Sequence, residues 1–252
     1  MNIKLIAHTQ LSREFVSTLL NEFEGATDGQ MVALSAIRTC YSHNKPSEIV
    51  ELEGEKYFGS AAKDGEGGSE ADRLIRHIMR SGHLSTTEHI NFTFTIEGVS
   101  RSLLAQLTRH RHFSFSVQSQ RYVKLESGSK SGGVDYTKPE TINEREIPDY
   151  QYYDEGWNNY QAQEVYESFM REVQRTYDKL RKAGVPAEDA RYILPNAATC
   201  NLVLTGNLRS ILEFYGKRAS KQAQWEIREL AEHMKAAVIE VEPWTSSFFQ
   251  VK

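Results

Sequence analysis

The chain has 252 residues, of which 39% are hydrophobic and 25% charged, and carries a net charge of −4. It is long enough to bury a sizeable core and has the composition of a soluble globular protein. The acidic balance argues against a non-specific nucleic-acid binder, and no apolar run reaches the roughly eighteen residues of a membrane span.

Taken in chain order, "MNIKLIAHTQ" has a short apolar run but no cleavage-site pattern, so no signal peptide is expected. Leu11, Phe15 and Leu19 recur at helical spacing after Ser12 and Arg13 and predict an early helix. Met31, Leu34 and Ile37 predict a short second one. Residues 54–70, "GEKYFGSAAKDGEGGSE", are glycine-rich and polar and predict a mobile loop; their glycines do not form a dinucleotide fingerprint. Leu74, Ile75, Ile78 and Met79 predict a helix stopped by Gly82. The period then changes to two: Ile90, Phe92, Phe94 and Ile96 alternate with polar residues as a half-buried strand. Ser100 is placed to cap a helix carrying Leu103, Leu104 and Leu107.

Residues 127–157 show little periodicity and predict a long excursion. A long helix over 158–183 follows, carrying Val165, Phe169, Val173, Tyr177 and Leu180. A short helix from Pro186 should stop before Pro195. Cys200, Leu202 and Leu204 alternate as a strand, Asn207 can cap the next helix, and a last helix carries Ala223, Ile227, Leu230, Met234 and Val238. Helices and strands intermix without regular βαβ alternation, which predicts an α+β fold.

The chemistry concentrates in Arg109–Tyr122, "RHRHFSFSVQSQRY", which holds three arginines, two histidines and no acid. So many cations cannot be buried unpaired, so the stretch is no core strand or buried helix and should face an anion or polar ligand. Zinc is disfavoured: His77, His83 and His89 are spaced six apart, about 600° on a helix, and neither HExxH nor CxxC is present. Cys40 and Cys200 have no CxxC spacing and read as reduced cytosolic thiols, Cys200 in the core. Ser114, Ser116 and Ser119 lie in no GxSxG elbow. Phe113, Phe115 and Tyr122 could stack single-stranded bases, but Phe113 and Phe115 share a face, as core residues do. A small phosphorylated, planar ligand remains the best match, since arginine forks suit phosphate oxygens.

These residues resemble those of the flavin-dependent thymidylate synthases. Arg109-His110-Arg111 followed by seven residues and Ser119 matches that family's motif, continued by Arg121 and Tyr122. "SGHLSTTEH" upstream, Gln106 in "AQLTRHR", and "ARYILP", "TGNLRS" and "KRAS" downstream follow in the family's order. The resemblance covers most of residues 31–252 and implies a thymidylate synthase-complementing fold: one α+β domain over 1–252, with a mixed or antiparallel sheet flanked by helices and elaborations near 54–70 and 127–157. It implies methylation of dUMP to dTMP, with methylenetetrahydrofolate as one-carbon donor. The hydride would come from reduced FAD, regenerated by NADPH. It also implies a cytoplasmic homotetramer with sites shared between subunits, and no metal, nucleic-acid or membrane partner. The alternative is a non-catalytic nucleotide-binding or single-strand nucleic-acid-binding protein.

Carried onto this chain, the resemblance assigns His83, Ser85, Glu88, Arg109, His110, Arg111, Asn207, Arg209 and Glu213 to the flavin. It assigns Gln106, Arg109, Ser119, Gln120, Arg121, Arg191 and Arg218 to dUMP. Arg218 is the catalytic group, beside the uracil ring, and Ser119 is a binder rather than a nucleophile. Two positions depart from the family: Val117 stands where many members have Glu or Gln, and Glu213 where Asn or His is frequent. An ionised carboxylate donates no hydrogen bond.

Overall fold

The computed structural model describes residues 1–19, 23–143, 145–151 and 157–251. The fold is α+β, with a four-stranded antiparallel sheet and a separate two-stranded hairpin. The sheet runs β1 (Asn2–His8), β2 (Asn91–Ser100), β6 (Thr199–Asn207), β3 (Ser114–Val117). Bonds along neighbouring strands show the direction. Asn2 meets Glu97 and Thr9 meets Asn91; Thr93 meets Thr205 and Gly98 meets Asn201. One index rises as the other falls, which is antiparallel pairing.

The helices are α1 (Arg13–Thr18), α2 (Asp28–Thr39), α3 (Ile49–Phe58), α4 (Glu70–Arg80), α5 (Arg101–Leu107), α6 (Ala162–Lys182), α7 (Ala187–Ala190), α8 (Leu208–Arg218) and α9 (Trp225–Val241). The hairpin pairs β4 (Glu146–Gln151) with β5 (Trp157–Gln161), Glu146 opposite Gln161.

The chain packs as two compact units. The larger comprises residues 3–95, 108–115 and 203–252; the smaller comprises 1–2, 96–107 and 116–202. In the larger unit, Phe92 and Phe94 of β2 are fully buried, as are Leu208 and Phe214 of α8 and Ile227, Leu230 and Met234 of α9. Leu34, Ile49, Tyr57 and Ala71 join α2, α3 and α4 in one cluster. In the smaller unit, Ile96, Val99, Leu103, Leu107 and Tyr177 are buried.

Most predicted elements are present, with local differences. The second helix is longer than its apolar spacing indicates, because Thr27 and Gln30 form a capping box that starts it at Asp28. Strand β2 continues past Ile96: Gly98 takes φ +68°, the alternation slips by one, and Val99 is buried instead. The loop predicted at 54–70 begins inside α3, which runs to Phe58. What remains of it is anchored rather than loose. Ala61 bridges Ser69, and Arg76 donates two hydrogen bonds to Asp64, at 3.0 and 2.9 Å. Gly82 does end α4, with φ +83°.

The excursion predicted at 127–157 contains β4 and the start of β5, which carry no clear alternation; its residues 144 and 152–156 lie outside the described residues. The long helix starts at Ala162 rather than 158, because 157–161 pair as a strand. Its buried stripe is Met170, Val173 and Tyr177, and Phe169 is left 58% exposed. Strand β1 has no counterpart among the predicted elements.

Near the end of the chain, Glu242 is only 1% exposed. Its carboxylate accepts hydrogen bonds from the Thr27 hydroxyl, the Gly29 amide and the Trp244 indole. Burial pushes its pKa up, while these three donors pull it down.

Candidate functional site

The larger unit gathers every residue assigned to the flavin. Leu208 N donates to Ile90 O at 2.8 Å, which sets the start of α8 beside the short 3₁₀ helix Leu84–His89. Glu88 on that helix then meets Arg209, whose guanidinium donates to it at 2.6 Å. One helical turn on, Glu213 accepts from Arg209 Nε at 3.2 Å, the i,i+4 spacing of neighbouring side chains. Glu88, Arg209 and Glu213 therefore form one clamp. Glu213 lines two clefts, of about 500 and 340 Å³. The larger cleft is walled by Arg76, Arg80, Leu84, Leu212 and Phe248 as well.

The smaller cleft is lined by Arg109, His110, Arg111, Ser210, Lys217 and Arg218, with His112, Phe113 and Glu213. Arg218 Nε donates to His110 Nε2 at 3.0 Å. The imidazole is packed edge-on to Phe214, centroids 4.9 Å apart. Burial chiefly, then the charges of Arg218 and Lys217, lowers the His110 pKa to about 4. The ring is therefore neutral at pH 7, and because Nε2 accepts, its proton sits on Nδ1. Among the described residues, Arg109, Arg111 and Lys217 make no ion pair with a carboxylate. The cleft is thus lined by more cations than acids, Glu213 being the carboxylate among its lining residues, a balance that suits an anionic ligand.

Asn207 ends β6 and caps α8, its side-chain oxygen accepting from the Ser210 amide at 2.9 Å and the Ser210 hydroxyl at 2.8 Å. Only its amide NH₂ remains for a ligand. His83 precedes the 3₁₀ helix, and its Nδ1 lies 2.8 Å from the Tyr41 hydroxyl, with the two rings stacked. Ser85 is exposed on the same 3₁₀ helix.

The smaller unit holds the remaining residues assigned to dUMP. Gln106 lies on α5, its amide 3.4 Å from Ser102 O. Ser119 Oγ accepts from the Arg121 amide at 3.2 Å. Gln120 Nε2 is buried without a hydrogen-bond partner, a donor that a polar ligand would satisfy. Arg121 pairs with Glu188 at 2.8 Å, and Arg191 Nε donates to the Glu188 carbonyl at 3.0 Å. Arg121, Glu188 and Arg191 therefore cluster.

Four residues at these places were not anticipated. Lys217 adjoins Arg218 in sequence and Glu188 lies one helical turn before Arg191, so both were within reach of a spacing argument. Tyr41 and Phe214 reach His83 and His110 only through the fold. Among the described residues, no three His, Cys, Asp or Glu side chains gather as a metal site, and no helix is long and apolar enough to cross a membrane. Cys200 is buried in β6 and Cys40 exposed at the end of α2.

Comparison with known proteins gives concordant matches. A family model described as thymidylate synthase complementing protein matches residues 19–244. A flavin-dependent thymidylate synthase of Geobacter sulfurreducens is 39% identical over 175 residues, covering 69% of this chain and 68% of the relative. One of Clostridium tetani is 36% identical over 223 residues, covering 85% and 79%. The crystal structure of the UMP/dUMP methylase PolB from Streptomyces cacaoi, bound with 5-Br dUMP, superposes with a TM-score of 0.67 at 23% identity. That alignment covers 98% of this chain and 94% of the other and speaks for the shared fold.

Proposed function

The chain belongs to the thymidylate synthase complementing protein family, and from that premise we propose that it methylates dUMP to dTMP. Methylenetetrahydrofolate is the one-carbon donor, and reduced FAD, regenerated by NADPH, is the hydride donor. The observation that carries this reading is the Arg109–Phe113 and Ser210–Arg218 cleft: cationic, with its histidine neutral and hydrogen-bonded to Arg218.

FAD suits the donor set of the larger unit. Its pyrophosphate calls for unpaired cations, and Arg109, Arg111 and Lys217 supply them. The Asn207 amide, the Arg209 clamp, Ser85 and His83 supply polar contacts for the rest of the molecule. Bound there, the flavin supplies the hydride that completes the methyl group.

The chain's own task is to bind, orient and polarise. C5 of uracil is a weak nucleophile. A guanidinium at the pyrimidine edge stabilises negative charge on the ring and lets it develop towards C5. Arg218 takes that role. His110, accepting from Nε, holds the guanidinium plane and leaves its terminal nitrogens for the substrate. Gln106, Ser119, Gln120, Arg121 and Arg191 bind dUMP, with the arginines at the phosphate. Neither thiol takes part.

We further propose one functional domain and a cytoplasmic homotetramer with sites shared between subunits. The exposed aromatics Phe169 and Tyr192, at 58% and 84%, support burial against another copy. The test is reconstitution with FAD followed by assay of dUMP, methylenetetrahydrofolate and NADPH turnover. Flavin absorbance at stoichiometric uptake, with dTMP formed, is the expected result. A folded protein that takes up no flavin defeats the proposal.

A further inference from the structure

Glu188 is engaged twice. Its carboxylate oxygen Oε2 lies 2.8 Å from both Nε and a terminal nitrogen of Arg121, and its carbonyl holds Arg191. The Arg121 guanidinium also lies 5.6 Å from the ring centroid of its neighbour Tyr122. Two nitrogens of a guanidinium edge on an anionic oxygen is the arrangement that arginine offers carboxylate and phosphate alike. We propose that Glu188 is an internal stand-in for the substrate's phosphate, occupying the Arg121 fork until a phosphate monoester displaces it.

The inference rests on the placement of Arg121 at the dUMP phosphate proposed above. It is not contained in that reading, which gives Glu188 no role. The pair is built to exchange. Both side chains are about half exposed, at 52% and 47%, and Arg121 is the sole bonded partner of the Glu188 carboxylate among the described residues. An ion pair so open to water is weak, and releasing the carboxylate to solvent costs little. A phosphate monoester near neutral pH carries about −1.5 to −2 charges and three acceptor oxygens, so it outcompetes a single carboxylate for the same fork. The bond from Arg191 to the Glu188 carbonyl does not involve the carboxylate and can persist through the exchange. A nucleoside without phosphate has nothing to exchange. Glu188 therefore sets a threshold: it lowers the apparent affinity for the monophosphate and leaves Arg121 balanced in charge while the site is empty.

The experiment is calorimetric titration of the full-length, FAD-loaded protein with dUMP and with deoxyuridine. It compares the wild type with Glu188→Gln, Glu188→Asp and Arg121→Gln, each checked by circular dichroism. Glu188→Gln removes the charge at constant shape and should tighten dUMP about fivefold, with deoxyuridine unchanged. Glu188→Asp keeps the charge but shortens its reach and should tighten dUMP less. It provides an independent reading should the Gln variant fold poorly. If Arg121→Gln weakens dUMP while neither Glu188 variant tightens it, Glu188 is a structural support and the stand-in is rejected. If Arg121→Gln leaves dUMP binding unchanged, the phosphate assignment of Arg121 falls, and the inference with it.

Discussion

Arg209 and Arg121 are both partly exposed arginines facing carboxylates, yet they are held in different ways. Arg209 is gripped by two acids from two elements, Glu88 on the 3₁₀ helix and Glu213 on its own helix. Arg121 meets Glu188 alone. Arg209 is thus braced from two elements, whereas Arg121 is tied to a single carboxylate. The same contrast runs through the two units. In the larger, His83, His110, Arg209 and Arg218 are already bonded to neighbouring side chains. In the smaller, Gln120 carries an unsatisfied buried donor and Gln106 only a long contact. Arg209 and Arg218 of the larger unit are therefore tied to side-chain partners before any ligand binds, whereas Gln120 of the smaller unit leaves a buried donor for a ligand to satisfy.

Substitution at Arg218 tests the organised side most severely. Arg218→Ala should lower turnover by about 10²–10³ while keeping the fold and much FAD uptake, because it deletes a charge aimed at the reacting ring. Arg218→Lys should recover only part, since lysine lacks the planar fork that His110 orients. Steady-state dTMP formation with circular dichroism gives the answer; full turnover in the Ala variant removes Arg218 from the chemistry.

The Arg209 clamp comes next. Arg209→Ala should weaken FAD about tenfold, the equivalent of one charge-assisted hydrogen bond. Glu213→Gln, which only loosens the clamp, should weaken it less in a flavin fluorescence titration. Equal losses would show that Glu213 contacts the flavin itself and is not a brace.

A gentler probe of the organised region is acid. His110 has a folded pKa of about 4 against an ordinary value near 6.5. Below about pH 6.5 the unfolded chain binds a proton that the folded one refuses, so stability declines as pH falls from there towards 4. Thermal melts of wild type and His110→Asn across this window should converge at low pH, because only the wild type carries this loss. Parallel curves would mean that the imidazole is not held neutral.

The smallest effects belong to the thiols, which lie outside both sets of site residues. Cys200→Ala should cost about 1 kcal/mol as a small buried deletion, and Cys40→Ala should stay within about 0.5 kcal/mol. Both should retain turnover. Loss of dTMP formation in a folded double variant would reinstate a covalent thiolate.

Legibility in the sequence followed the range of the interaction. Periodicity located β2, α4 and α9, since burial of Phe92, Ile75 and Ile227 is written locally. Ser100 and Asn207 act as helix caps, because capping spans only three residues. Strand β1 was missed since its exposed–buried alternation is shallow, and β4 and β5 since their pairing is not a property of either segment alone. Among site residues, the Arg109–Arg111 motif is contiguous and was visible. The ties from His83 to Tyr41 and from His110 to Arg218 cross 42 and 108 positions. Glu213 could be recognised as a departure, but its pairing with Arg209 required the helix.

The buried carboxylate of Glu242 has a consequence for the order of synthesis. It closes the start of α2 through Thr27 and Gly29, 215 and 213 positions earlier in the chain. A ribosome makes those two donors long before their acceptor. Until then the Gly29 amide has no carboxylate to meet, although the Thr27–Gln30 capping box already closes the same turn of α2. The larger unit thus gains this contact only once residue 242 has been made, and a message truncated upstream of codon 242 yields a chain that lacks it.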